Sequence, residues 1–526
     1  MPPPYHSPGV YIEEVDRGSK PIEGVGTAVA AFVGFTARAP DDDPADPLGA
    51  RPRLVTNWTQ FRSLYGEFVE GALLPHAVFG YFNNGGGACY VVRVPHAGDS
   101  ATPSRALPSA SRQSLETLRV RALEAGASVE VVVEPGSPAK EGDTPSSFTL
   151  KVRVDGQEVE SFPDLTFSRS ARNVETVVNR ESRYVRVEAP SASGVAAAER
   201  VPPPGTYPLE LARPSAASVS GRDFEGAESE RTGIRGLVIA EEVTMVAVPD
   251  LLTAATSDGR VDLDTFKAVQ TLLIDHCEAV KSRMAILDAP PGMNPQQVKE
   301  WRSDVAMYDA RFAAMYYPWL TVANPLAQPG ANGSRHLTVP PCGHVAGIWA
   351  RNDTTRGVWK APANEVVRGA IDVATRVTRG EQDLLNPIGV NCIRPFGTRG
   401  IRVWGARTLS SDASWRYVNV RRLFSYIEQS ILNGTQWVVF EPNDMDLWQR
   451  VKRTVNAFLI GLWRQGALFG ATPQEAFYVK CDAENNPVES RDEGRLVVEV
   501  GIAPVKPAEF VVFEISQWQG GAATAE

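Results

Sequence analysis

Apolar and polar positions change rhythm several times along this chain, and each rhythm predicts a different element. Val10–Val15 (VYIEEV) is a short β-prone run with Pro8-Gly9 before it and Asp16-Arg17-Gly18-Ser19 after it, so it has little local chain to pair with. The unalternating apolar run Thr27–Phe35 predicts a buried strand, and Asp41–Pro52, rich in Asp and Pro, a loop. Asn57–Tyr65 predicts a helix opened by an Asn cap and closed by Gly66, and Ala88–Val94 another buried strand. Between Pro95 and about Gly233, clusters of Ser, Ala, Pro and Gly separate alternating runs such as Val129–Val133 and Phe148–Val154. That texture predicts a small β-rich insert on the surface, with flexible joints.

From Leu237 the pattern alternates strand and helix. Val243–Val248 is a strand, Leu263–Lys281 a helix with Leu263, Phe266, Leu273 and Val280 inside, Met284–Leu287 a strand, Pro295–Ala310 a helix and Ala313–Val322 a strand. This alternation predicts an α/β layer with a largely parallel sheet. A helix over Asn364–Val377, strands near Gly389–Ile393 and Ile401–Trp404, and a helix from about Val420 to Asn433-Gly434 follow. Trp437–Phe440 then reads as a strand and Asp444–Gln465 as an amphipathic helix. Leu496–Val500 and Phe510–Ile515 are the last strand runs, with Pro504 and Pro507 disfavouring a tight hairpin between them. No internal repeat is found.

At 526 residues the chain has room for about three domains. Its formal charge of -9 argues against a protein built mainly to bind nucleic acid. Five cysteines, far apart and without a CxxC pair, fit buried free thiols in a reducing compartment. The opening MPPPYHSPG has no basic or apolar region of a secretory signal, and the longest apolar stretches are too short to span a bilayer. Synthesis and assembly in the cytoplasm are therefore expected.

Sequence chemistry is sparse. GxxxxGK[ST], HExxH and GxSxG do not occur, and the GxG at Gly24-Val25-Gly26 has Val29 where a dinucleotide fingerprint needs its third glycine. His336, Cys342 and His344 lie in or beside a Pro/Gly segment (VPPCGHVAG) that reads more naturally as an ordered loop than as a metal site. Asp250 and Asp288, each ending an apolar strand run, are the best candidates for an alternative reading as an α/β hydrolase or phosphotransferase. Capping or turn aspartates are the simpler account.

Several segments together resemble the contractile tail sheath proteins. They are SPGVYIEEVDRGSKPIEGVGTAVAAFVGF, PWLTVANP, VAGIWARNDTTRGVWKAPANE, LNPIGVNCIRPFGTRGIRVWGARTL, YVNVRRLFSYIEQSILNGTQWVVFEPND and GRLVVEVGIAPVKPAEFVVFEISQW. The likeness covers about Ser7–Val94 and Leu237–Trp518 and skips the β-rich stretch, which in that family is a variable outer domain. It implies an α/β (α+β) sheath core built from N- and C-terminal parts, an inserted β-rich outer domain and extended terminal β-arms. On this chain that division gives an arm at 1–20, an inner core of 21–94 and 364–503, an outer insert at 95–236, a middle α/β domain at 237–363 and a second arm at 504–526.

The function implied is mechanical and non-enzymatic, with no cofactor or metal. Copies stack as rings, usually sixfold, around an inner tube, meet a baseplate and terminal cap proteins, and contract to drive the tube through a target envelope. The particle is a phage tail or a phage-tail-like injection system; nucleic acid and membrane insertion play no part for this subunit. In the family the arms link neighbours by strand addition, which assigns that role to Val10, Tyr11, Ile12 and Val15 and to Phe510, Val511, Val512, Phe513 and Ile515. Four to six backbone hydrogen bonds per arm at ~1 kcal/mol each would give several kcal/mol per junction. On the Asp444–Gln465 helix, Arg450, Arg453 and Arg464 gather opposite the apolar face within about 60° of one another, so a basic stripe gripping an acidic tube is expected.

Overall fold

Unbroken apolar runs form strands covered on both faces. Ala30–Gly34 (β1) is buried at all five positions, and so are Met245–Ala247 (β4), Met284–Asp288 (β5) and Ala313–Tyr317 (β6). The computed structural model describes residues 21–514 except 41–45, 47, 96–102, 113–114, 124–128, 137–146, 155, 169, 191–194, 210–218, 258–259 and 328–333. With Arg53–Val55 (β2), Cys89–Arg93 (β3), Glu365–Val366 (β7), Val390–Pro395 (β8) and Ile401–Val403 (β9), these strands make one nine-stranded sheet in the order β7-β9-β8-β6-β5-β4-β1-β3-β2. The six strands from β8 to β3 are parallel, while β2, β7 and β9 are antiparallel to their neighbours.

Helix ends follow local capping. Asn57 caps Trp58–Tyr65 (α1) by accepting the Gln60 N–H at 2.8 Å, and Gly66 ends it at φ +82, where a side chain would be strained. Leu74–Asn83 is α2 and Leu263–Val280 is α3, the latter burying Phe266, Val269, Leu273 and Cys277 while Leu263 is only half-buried and Val280 exposed.

Four expectations are corrected in this region. No helix forms over 364–377: Glu365–Val366 joins the large sheet, and Ala370–Val373 joins a separate antiparallel sheet with Leu320–Ala323 and His336–Val339. Four β-branched residues (Val366, Val367, Ile371, Val373) and Gly369 at φ +84 favour that outcome. The helix is instead Cys342–Arg356 (α4), in the segment read as a loop. Its prolines precede the first turn, where a missing N–H costs nothing, and its glycines are contact points. A Cβ on Gly343 would lie 2.3 Å from the Ala77 carbonyl oxygen, and one on Gly347 2.4 Å from that of Tyr81, so α4 packs against α2 backbone to backbone. The run 313–322 is two strands, because Pro318 cannot continue a ladder. Pro295–Ala310 is likewise shorter than expected: an α-helix over Pro295–Glu300 continues as a π-helix to Ala306.

The alternating runs after Pro95 form two antiparallel sheets. Ser104–Pro108, Glu116–Ala122 and Val185–Glu188 make one; Gly205–Pro208, Val129–Pro135, Phe148–Val154 and Gln157–Leu165 make the other. Leu118, Val131, Phe148, Leu150 and Val178 belong to a core of their own.

By packing, the chain divides into two units. One takes 28–351 and 363–411, the other 352–362, everything from 412 and the segment ending at Thr27. This differs from the division read in the sequence: the nine-stranded sheet contains strands from 21–94, 237–363 and 364–503 alike. The second unit holds Val418–Gly434 (α5), Met445–Arg464 (α6) and an antiparallel pair, Phe477–Lys480 (β10) with Glu499–Ile502 (β11). Leu423, Ile427, Leu447, Val451, Leu459 and Phe477 are in its core, and Ile22 from the N-terminal side joins them. The expected strand Trp437–Phe440 is a 3-10 turn over Gln436–Val438, and the expected strand Phe510–Ile515 has no pairing among the described residues 510–514.

Candidate assembly surfaces

The acids that could have marked an active site serve as internal caps. Asp250 follows β4 and accepts N–H bonds from Phe35 (2.7 Å), Leu74 (3.0 Å) and Leu73, fastening the start of α2. Asp288, at the end of β5, accepts the Cys342 N–H at 2.9 Å at the start of α4. Both are buried, and burial pushes each carboxyl up to about 7. The cavity beside Asp288 has about 10 Å³, room for one water at most. Helix N-termini at strand ends are where an open α/β sheet takes an anionic ligand, and here its own carboxylates occupy them.

The imagined metal ligands do not converge. His336 is exposed on its strand and His344 is buried in α4, where burial lowers its pKa to about 4; burial also drives the Cys342 thiol well up. Among the described residues no group of three His, Cys, Asp or Glu side chains is placed to hold a metal. Gly24, from the incomplete dinucleotide pattern, is a contact point: a Cβ there would strike the Tyr426 hydroxyl at 1.9 Å.

Helix α6 matches its expected bounds. Asp444 accepts the Leu447 N–H at 2.9 Å, and Leu447, Trp448, Val451, Val455, Leu459 and Leu462 are buried; Phe458 is half-buried. The basic stripe is not uniform. Arg453 and Arg464 are exposed, but Arg450 pairs with Glu441 at 2.7 Å and Asp446 at 3.7 Å and lies 5.1 Å from the centre of the Trp437 ring. Its guanidinium already has two acidic partners within the subunit.

A second surface was not read from the sequence. Among the described residues strand β11 is paired by β10 alone. An apolar groove of about 780 Å³ is lined by Leu447, Val451 and Val455 from α6 and by Leu496, Val498 and Val500, the last of them in β11. The groove continues past Ile427, Ile431 and Ile502 as a further hollow of about 440 Å³. The period-two spacing of Leu496, Val498, Val500 and Ile502 was the available signal. In the same unit Phe510, Val511, Val512 and Phe513 are 68–83% exposed and unpaired. Val10, Tyr11, Ile12, Val15 and Ile515 lie outside the described residues.

The same unit fixes the segment that follows the N-terminal arm. The Val25 N–H is donated to Ser430 Oγ at 3.1 Å. Arg422 reaches both Asp353 oxygens, at 2.9 and 2.5 Å, and donates to the Thr27 carbonyl at 2.9 Å; the Thr27 hydroxyl donates to Asp353 at 2.7 Å.

Residues 241–409 match the family model for the phage tail sheath protein central domain, and 410–517 the one for the phage tail sheath C-terminal domain. The chain belongs to the phage tail sheath family. It is 25% identical over 279 residues to the tail sheath protein of Vibrio phage KVP40, a match covering 49% of this chain and 40% of that protein. To a putative prophage major tail sheath protein of Pseudomonas aeruginosa it is 26% identical over 301 residues, 56% of this chain and 71% of that one. The match therefore spans less than half of the KVP40 relative. Among solved structures, the helical sheath of the anti-feeding prophage in its contracted state superposes with a TM-score of 0.57 at 24% identity, covering 98% of this chain and 99% of that chain. The sheath complex of the PVC extracellular contractile injection system, also contracted, gives 0.56 at 23%, covering 98% of each. These likenesses show that the mixed α/β fold of this sheath family chain is a shared one.

Proposed function

We propose that this chain is the structural subunit of a contractile tail sheath. Copies polymerise as stacked, sixfold rings around an inner tube, joined to a baseplate and capped at the far end, and shorten to drive the tube through an envelope. Assembly takes place in the cytoplasm, on the way to a phage tail or phage-tail-like particle. The subunit performs no catalysis and needs no cofactor; its work comes from repacking a metastable lattice. The 104–208 sheets face outward in this arrangement, and Arg453 and Arg464 meet an acidic tube.

The observation that carries the reading is that, among the described residues of one unit of a sheath family chain, β11 has a single strand partner and the apolar Phe510–Phe513 segment has none. A subunit with an acceptor groove and a donor strand builds an open polymer, because the two surfaces differ and the contact does not close on itself. Val10–Val15 and Phe510–Ile515 are the donors, on tethers that let subunits turn without releasing one another. Truncation after Lys506 keeps the Val505 N–H bonded to the Ala467 carbonyl. The truncated subunit is expected to stay folded by circular dichroism and to form no sleeves by electron microscopy. Long sleeves from that protein would defeat the strand-linking proposal.

A further inference from the structure

Phe440 stands where a phenylalanine is hardest to explain. The Glu441 N–H is donated to the Val438 carbonyl at 3.1 Å, with Val439 at φ −66, ψ 129 and Phe440 at φ +67. That is a type II turn, whose third residue needs the left-handed region and is ordinarily Gly or Asn. A bulky side chain there strains the backbone. Among the described residues nothing compensates, since Phe440 is fully exposed, at 102%, on the rim of the β11 groove.

The turn is nevertheless braced on both sides. Glu441 pairs with Arg450, whose guanidinium also lies over Trp437, so both flanks of the turn have side-chain partners. A strained conformation that the surroundings over-determine, bearing a large apolar side chain into solvent, is a signature of a contact made elsewhere.

We propose that Phe440 is a pre-positioned anchor that closes over the Phe510–Phe513 segment of a second copy seated in the groove, a proposal resting on the groove being a strand acceptor. The occupant is fixed by three observations. Among the described residues the segment is an apolar run without a strand partner and β11 has β10 as its one partner, and the groove that reaches Val500 of β11 is apolar along Leu496, Val498 and α6. On an added strand alternate side chains face the groove, so Val511 and Phe513, or Phe510 and Val512, would enter it beneath the Phe440 ring.

The test uses the full-length chain carrying Val511→Asp and Val512→Asp, which keeps its groove and puts a charge on the groove-facing side in either register, so that it cannot donate. A labelled peptide of residues 507–516 is titrated into it by fluorescence anisotropy. Adding Phe440→Gly is expected to weaken peptide binding about tenfold or more, and Phe440→Trp to keep it within about threefold. Because Gly suits the turn, Phe440→Gly is also expected to leave the thermal midpoint of the receptor unchanged or raised. Equal binding with Phe440→Gly, or a lowered midpoint, would overturn the anchor role while leaving the groove as acceptor. Absence of binding to every receptor would overturn the acceptor reading, and the anchor with it.

Discussion

The Arg422–Asp353 pair is the most informative place to perturb this subunit. Only 4% and 3% of the two side chains are exposed, so both charges are desolvated. Their bidentate geometry is supplemented by the Thr27 hydroxyl and carbonyl, which ties three separated stretches of sequence into one unit. Asp353→Ala leaves the guanidinium buried without its counter-charge, a change that costs about 3–5 kcal/mol. The Thr27 hydroxyl also loses its acceptor, for about 1 kcal/mol more. Amide hydrogen exchange of peptides spanning α5 reads the consequence locally. Together these are about 4–6 kcal/mol, and at 1.36 kcal/mol per factor of ten protection should fall between about a thousandfold and a few tens of thousandfold. The double variant Asp353→Leu with Arg422→Met replaces the pair by apolar groups and should recover most of that protection. A loss under about tenfold in the single variant, or a double variant worse than the single, would refute the reasoning that this pair pins the segment entering from the N-terminal arm.

Two further outcomes are expected. Burial raises Asp250 and Asp288 from the ordinary carboxylate value of 3.8 to about 7, so the folded chain holds protons that the unfolded chain has released. Stability should therefore fall as pH rises from about 4 to about 7, by about 1.4 kcal/mol per pH unit for each group inside that window. Thermal midpoints at pH 5 and pH 8 measure the slope, and Asp288→Asn should flatten it; an unchanged slope in that variant would contradict the assignment. Charge reversal of Arg453 and Arg464 to Glu should leave the subunit folded yet yield sleeves without tubes, whereas Arg450→Glu should disturb the Val438–Glu441 turn. Tube-filled particles from the Arg453, Arg464 variant, seen by electron microscopy, would remove the charge-gripping proposal.

What the sequence determined alone is local. The Asn57 cap, the Gly66 stop, the 3.6-residue period of α6 and the two-residue period of Phe148–Val154 are each written within a few neighbouring residues, and all appear where expected. The parallel alternation of strands after Leu237 was legible for the same reason, as were the positions of Asp250 and Asp288 at strand ends. Tertiary structure decided everything whose partner is distant. Gly343 and Gly347 carry the same signal whether they end a helix or admit another backbone, and only Ala77 and Tyr81 distinguish the two. Phe477–Lys480 becomes a strand because Glu499–Ile502 lies beside it. Arg450 belongs to the solvent on a helical wheel and to Glu441 in the fold. Periodicity and capping act over one turn of chain, whereas pairing, close approach and charge neutralisation depend on which surfaces the fold brings together, and no local pattern records that choice.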